Sequence, residues 1–369
     1  MARRPRSTMF SRAVQRSLKA LTRSAIRAGT KAVAQAMLPA KPAARKPPAR
    51  KPVASKPAAH KPAARKLSPT KKITPARPKV ASAVPLRAGL TAGVAGAQRY
   101  RLFVPPGVRR TERLPLLVML HGCTQSAEAF ATSTRMNQIA AKEGFVVLYP
   151  EQNHLANLQG CWNWYQTRTG QAQAEAETIL ATIHQVSRLH AIDPARIALA
   201  GLSAGASMAA LLAVRHPTSF CAIAMHSGVA PGIAHATASA LTAMRGHGTA
   251  TPLSALATGS HLPALLVIQG SADHLVAASN GAAAAQLWAT REGAKPGKPR
   301  TVKRGARHPA HITDFKTKGR LVATLCSVQG LGHAWSGGAA SQPFSDPKGP
   351  DASRMIWAFA VKQFAKVAA

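Results

Sequence analysis

Acid is scarce in this sequence. Twelve Asp and Glu stand against 49 Lys and Arg in 369 residues, and none precedes Glu112. The shortage is uneven. Residues 1–80 hold 22 Lys and Arg with no acid, which leaves 27 basic and 12 acidic residues, 27 − 12 = +15, for residues 81–369. The chain thus divides into a purely cationic stretch and a moderately basic body. Cysteine is scarce as well, and four in this length exclude a scaffold built on disulfides. The body must rely on an apolar core, for which 46% hydrophobic residues are enough. Long apolar runs are missing: nothing approaches the ~18 residues that argue for a membrane-spanning helix.

Residues 1–80 are expected to form a largely disordered tail. From Lys41 to Arg65 the sequence repeats KPAAR, KPPAR, KPVAS, KPAAH, KPAAR. A proline at every fifth position blocks helix and sheet, and the small and charged residues between offer nothing to bury. The spacing of positive charge suits a polyanion, while the lack of aromatic residues in the repeats argues against base stacking and so against sequence-specific reading of nucleic acid. A solvated linker with no fixed partner is the plainer alternative. Ahead of the repeats, Phe10, Val14, Leu18, Leu21, Ile26, Val33 and Met37 alternate with Arg and Lys. That pattern predicts a basic amphipathic helix over 9–38, suited to an anionic membrane or the coat of a storage granule, or else to packing on the body. Arg12, Arg16, Lys19, Arg23 and Arg27 interrupt any apolar segment that could serve as a signal peptide. A cytoplasmic or granule-associated location is therefore expected over an extracellular one.

Within the body, short apolar runs alternate with helical stretches. Strands are predicted at 100–104, 116–120, 145–149, 197–200, 221–225, 264–268 and 321–328, and helices at 133–142, 172–190, 204–214 and 282–290. Such alternation implies a mostly parallel sheet with helices on both faces. At its middle, Gly201-Leu202-Ser203-Ala204-Gly205 joins an apolar strand to a helix. A G-x-S-x-G at such a corner is a nucleophile elbow: the glycines permit the sharp turn that lifts the Ser hydroxyl above the sheet edge, and the helix behind it aims N–H groups at the reacting oxygen. The reading is an α/β-hydrolase fold with Ser203 as nucleophile.

That fold orders its triad as Ser, acid, His. Five acids follow Ser203: Asp273, Glu292, Asp314, Asp346 and Asp351. Asp273 comes directly after the strand Leu265-Leu266-Val267-Ile268, where an acid reaches the carboxyl edge of the sheet. His333 follows the last strand through Gly330-Leu331-Gly332, whereas His274 adjoins the acid and His308 and His311 fall in a charged loop. The oxyanion hole is expected from the backbone N–H groups of Ala204 and of Cys123, the latter in the loop His121-Gly122-Cys123-Thr124-Gln125. No metal or organic cofactor is expected.

The motifs PLLVMLHGCTQ at Pro115 to Gln125, LYPEQ at Leu148 to Gln152, CWNW at Cys161 to Trp164, GLSAG, QGSAD, GLGHAWSGG at Gly330 to Gly338 and DPKGPDAS at Asp346 to Ser353 stand in that order. On them, Arg99 to Phe364 resembles the polyhydroxybutyrate-depolymerase-type esterases, relatives of feruloyl and acetylxylan esterases. The resemblance implies an esterase acting on 3-hydroxyalkanoate polyester or oligoester, with Ser203, Asp273 and His333 as triad. It further implies a bond between Cys123 and Cys161, and an aromatic substrate wall that includes Trp335 and Trp162. Extracellular members carry a signal peptide and often a separate substrate-binding domain, where this chain has the basic stretch. A feruloyl or acetylxylan type of carbohydrate esterase is the nearest rival. The rival of another class is a protein that binds nucleic acid or a granule surface through residues 1–80.

Overall fold

Alternate residues of the central strands face opposite ways, and here both ways are apolar. In β3 (Leu114–Leu120), Leu116, Val118 and Leu120 join one buried cluster while Leu117 and Met119 join another. The same split divides Leu199 from Ala198 and Ala200 in β5 (Ile192–Leu202), and Leu265 and Val267 from Leu266 and Ile268 in β7 (Ala264–Gly270). A strand buried on both faces needs a helix layer above and below, as parallel sheets have.

The computed structural model describes residues 89–109, 112–249, 251, 253 and 261–367. The expectations for residues 1–80, including the helix over 9–38 and the repeats of 41–65, lie outside them. The remaining strands of the main sheet are β1 (Gly89–Ala95), β2 (Gln98–Val104), β4 (Val146–Pro150), β6 (Ala222–His226), β8 (Lys295–Pro296), β9 (Arg300–Val302), β10 (Ala310–Thr317) and β11 (Arg320–Val328). The sheet runs β1-β2-β4-β3-β5-β6-β7-β11-β10-β8, with β9 also paired to β10. From β4 to β11 the pairs are parallel, and the two edges are antiparallel.

One face is covered by α3 (Gln171–Leu189), α4 (Ala204–Arg215), α5 (Thr237–Met244) and α6 (Ser279–Glu292), which bury Ile179, Met208, Leu212, Ala240 and Trp288. The other carries α1 (Ala127–Thr134), α2 (Met136–Glu143) and α7 (Ala352–Val367), with Phe130, Met136, Ile356 and Phe364 buried. Phe145 stacks on Trp357 of α7 at 3.6 Å. This is the doubly covered, mostly parallel sheet of an α/β hydrolase.

Two local expectations are corrected. The helix predicted over 133–142 is two helices, broken at Arg135, which takes a left-handed conformation (φ 54°). Its N–H caps α1 at Ala131, and its guanidinium reaches the carbonyls of Gly337 and Gly338. His311 is not in a charged loop but on β10, where polar residues alternate along a hairpin with β11 at the exposed margin of the sheet. Among the described residues no helix is long and apolar enough to cross a membrane.

Candidate active site

Four segments end at the carboxyl edge of the sheet, and each brings one part of the site. The first is the corner between β5 and α4. Ser203 sits there at φ 56° and ψ −120°, a conformation that side chains other than glycine rarely hold. The flanking glycines make the corner possible by close approach: a Cβ on Gly205 would strike the Leu120 and His121 carbonyls, and one on Gly201 would strike Gly205 itself. The Ser203 N–H donates to the His226 carbonyl at 2.9 Å, tying the corner to the end of β6. Helix α4 begins at Ala204, so its N-terminal end points at the serine.

The second segment is the loop after β3. His121 is fully buried, and burial pushes its pKa below the ordinary value, so its ring is neutral. Nε2 accepts the Gln152 N–H at 3.1 Å, which leaves Nδ1 to donate to the Gly122 carbonyl at 2.9 Å. The Gly122 N–H is held by Gln125 Oε1 at 2.9 Å, and that of Thr124 by the Gln159 carbonyl at 2.8 Å. Between them the Cys123 N–H has no partner among the described residues, and neither has that of Ala204. The loop lies close to the elbow, since a Cβ on Gly122 would stand 3.6 Å from Ser203 Cβ.

The third and fourth segments carry Asp273, just past β7, and His333, just past β11. They are stitched together: the Ser271 N–H bonds the Val328 carbonyl, the Ala272 N–H bonds the Leu331 carbonyl, and the Gly330 N–H bonds Ser271 Oγ. His333 Nδ1 lies 2.9 Å from Asp273 Oδ2. Asp273 Oδ1 accepts the N–H groups of Leu275 at 3.1 Å and Val276 at 2.8 Å, and Gln269 Nε2 approaches Oδ2 at 3.3 Å. Burial alone would raise this carboxyl's pKa. The hydrogen bond and charge of His333, the Val276 N–H and the Ser227 hydroxyl outweigh it and hold the group below its ordinary value. An ionised Asp273 keeps the proton on Nδ1, so the basic lone pair is on Nε2. Ser203 Oγ and His333 do not form a hydrogen bond in this conformation, an arrangement that free enzymes commonly show before substrate draws the pair together.

The other acids are engaged elsewhere. Glu292 accepts from Leu262 N, His261 and Arg320; Asp314 binds Arg300 and Thr324; Asp346 meets His308; and Asp351 meets Arg354. His311 bonds Thr301, and His274 is exposed.

A cleft of about 250 Å³ opens beside Ser203. Its walls include Ala204, Val229, Ala240, Leu241, Met244 and Val276, with Asn157 and Gln159 at one side and no charged side chain. Cys123 and Cys161, joined as a disulfide, both line it. The aromatic wall differs from the expectation. Trp162 and Trp335 are fully buried and do not line the cleft. Trp162 packs against His121, while Trp335 stacks on His226, meets Phe130 edge-on and donates to Ser353 Oγ. Trp164 and Tyr165 form the wall instead, in a T-shaped pair 5.5 Å apart. The sequence reading also passed over His226. Its only signal is position, as a polar residue at the carboxyl end of an otherwise apolar central strand. Among the described residues no cluster of His, Cys, Asp and Glu could hold a metal ion.

Comparison with known proteins agrees on the fold and points to a family of esterases. Residues 98–292, just over half of the chain, match the family model described as esterase PHB depolymerase. Poly(3-hydroxyalkanoate) depolymerase C of Paucimonas lemoignei is 33% identical over 186 residues, 48% of this chain and 44% of that protein. Feruloyl esterase B of Thermothelomyces thermophilus is 33% identical over 34% of this chain and 43% of its own length. Acetylxylan esterase A of Emericella nidulans is 26% identical over 52% and 66%. The matches thus span less than half of the first two relatives. Among solved structures, the acetyl xylan esterase from Aspergillus awamori superposes with a TM-score of 0.54 at 19% identity, over 67% of this chain and 94% of that one, a likeness of fold.

Proposed function

Because this chain belongs to the PHB depolymerase family of esterases, we propose that it is a serine esterase hydrolysing 3-hydroxyalkanoate esters of the polyhydroxybutyrate type, with Ser203, His333 and Asp273 as its triad. The observation that carries the reading is the Asp273–His333 pair, 2.9 Å apart, at the same sheet edge as the Ser203 elbow. His333 Nε2 takes the proton of Ser203 as its oxygen attacks the ester carbonyl, and Asp273 holds the ring in the useful tautomer and stabilises it once charged. The N–H groups of Cys123 and Ala204 receive the oxyanion. As the ester C–O bond breaks, the imidazolium returns the proton to the departing alcohol, leaving an acyl-Ser203. Water attacks in the same way, and the acid is released. These steps use only side chains, backbone and water.

The cleft supports a neutral, aliphatic ester. It holds no charged group, and exposed leucines lie in or next to the segments that line it: Leu155 (94%), Leu158 (90%), Leu241 (54%) and Leu275 (54%). Apolar rims of this kind suit an apolar chain or surface. The second reading, a carbohydrate ester, draws on the names of two relatives and on the amides of Asn157 and Gln159 in the wall. We further infer that residues 1–80 bind an anionic partner, either a granule or membrane surface or nucleic acid, and that the protein works in the cytoplasm or on granules.

The test is turnover on hydroxybutyrate oligomers against acetylated and feruloylated sugars, with Ser203→Ala as control. Loss of the nucleophile should abolish all hydrolysis, since triad nucleophiles are worth about a millionfold. A clear preference for the sugars would replace the polyester reading and leave the serine esterase standing.

A further inference from the structure

His226 is the last residue of β6, and no part of it is exposed. Its polar contacts reach the three segments that carry the proposed triad. The carbonyl accepts the Ser203 N–H at 2.9 Å. Ring Nε2 accepts the N–H of Ser336, three residues after His333, at 3.0 Å. Ring Nδ1 lies 3.2 Å from Ser227 Oγ, and that hydroxyl in turn faces the Asp273 carboxylate. The ring stacks on Trp335, centroid to centroid 5.1 Å, at 24°.

These contacts fix the ring's state. A backbone N–H pointing at Nε2 requires a lone pair there, so the neutral ring carries its proton on Nδ1 and donates it to Ser227 Oγ. Ser227 can then direct its own proton to Asp273, so that the bonds from ring to hydroxyl to carboxylate run in one direction. A protonated His226 would set N–H against N–H at Ser336. The geometry is also held against resistance: Ser227 sits at φ 53°, pinned by its N–H to the Ile268 carbonyl at 3.0 Å. A ring that only filled space would need neither the strained neighbour nor two satisfied nitrogens.

We propose that His226 is a positioning residue for the triad, whose neutral ring locks the Ser203, Asp273 and His333 segments to one another through Ser227 and Ser336. The proposal rests on the serine-esterase reading. It makes His226 no acid or base: the ring never touches substrate, and what it contributes is the distance between Ser203 and His333.

The test compares His226→Phe, His226→Gln, Ser227→Ala and Ser203→Ala in the full chain on p-nitrophenyl butyrate, with far-UV circular dichroism to check folding. Phe keeps the stack on Trp335 and loses both nitrogens. It should lower kcat by roughly ten- to a hundredfold, as small misplacements of catalytic groups do, with KM changed by less than about threefold. Gln, whose amide oxygen can accept from Ser336, should recover part of the loss. Ser227→Ala should lower kcat and shift the downfield proton resonance of His333 Nδ1–H. A folded His226→Phe with wild-type kcat overturns the proposal. Should that variant not fold, Ser227→Ala decides alone, and an unchanged kcat and resonance overturn it. Activity surviving in Ser203→Ala would instead remove the serine-esterase reading and this inference with it.

Discussion

His333 Nδ1 and Asp273 Oδ2 stand 2.9 Å apart across 60 residues of chain, and both side chains are almost closed to solvent. Asp273 leaves the ring one tautomer. Asp273→Asn would offer a donor where an acceptor is needed, so kcat on a short p-nitrophenyl ester should drop by about ten-thousandfold. Asp314→Asn, whose side chain bonds Arg300 and Thr324 away from the site, should leave it near wild type. The reverse pattern would move the acid to β10.

The cleft separates residues that bind from residues that support. Tyr165→Ala should raise KM for hydroxybutyrate oligomers with less effect on stability, because its half-buried ring lies on the wall. Trp335→Ala should act through the fold. It removes the stack on His226 and the edge contact with Phe130, and should cost about 3–5 kcal/mol in urea unfolding.

Stability should depend on pH through His226. Burial, aided by the charge of His333 and opposed by Asp273, pushes its pKa down to about 3. In the unfolded chain the ring takes up a proton near pH 6.5. Between these limits the unfolded state binds more protons, so stability rises with pH there and is lost as pH falls from about 6.5 toward 3, at up to ~1.4 kcal/mol per unit from this group. Urea titrations of wild type and His226→Gln at pH 7 and 5 should diverge, with the variant losing less on acidification. Equal losses would refute the assignment.

The thiols should differ in reactivity. Burial raises Cys326 to about 12 and moves Cys221 up as well. At pH 8 roughly one Cys326 in ten thousand is thiolate. Iodoacetamide should therefore leave Cys326 unlabelled in the native protein. Non-reducing peptide maps should show Cys123 linked to Cys161, and alkylation of both of these in a native, active sample would speak against the bond.

For residues 1–80, the expectation is binding without catalysis. A chain starting at Ala81 should keep its activity on soluble esters. It should lose most co-sedimentation with DNA or anionic vesicles, and the full chain's binding should weaken steeply with salt. Equal binding by both chains would make the stretch a linker.

The sequence announces the elbow, because two glycines around a serine between an apolar strand and an apolar helix admit few other uses. It also narrows the acid to Asp273, helped by the scarcity of acid itself: five candidates remained after Ser203, and one stood at a strand's end. His226 was harder to see. Its partner Ser336 is 110 residues away, and nothing local says that the two meet. The resemblance named Trp162 and Trp335 for the aromatic wall, and the cleft is lined instead by Trp164 and Tyr165, in an irregular loop that has no period to tell inward from outward. The break at Arg135 escaped for a similar reason, as its left-handed turn is secured by carbonyls more than 200 residues on.

The Cys123–Cys161 bond has a consequence that the folded cleft conceals. It closes a loop across 38 residues, and a tie of that span removes from the unfolded ensemble conformations worth roughly 3–5 kcal/mol in the chain-entropy account. Most of its stabilising effect thus falls on a state in which no cleft exists. A reduced chain searches a wider space before the loop after β3 meets the wall of the cleft. Reduction should therefore lower the unfolding midpoint of the whole molecule even where every native contact can still form.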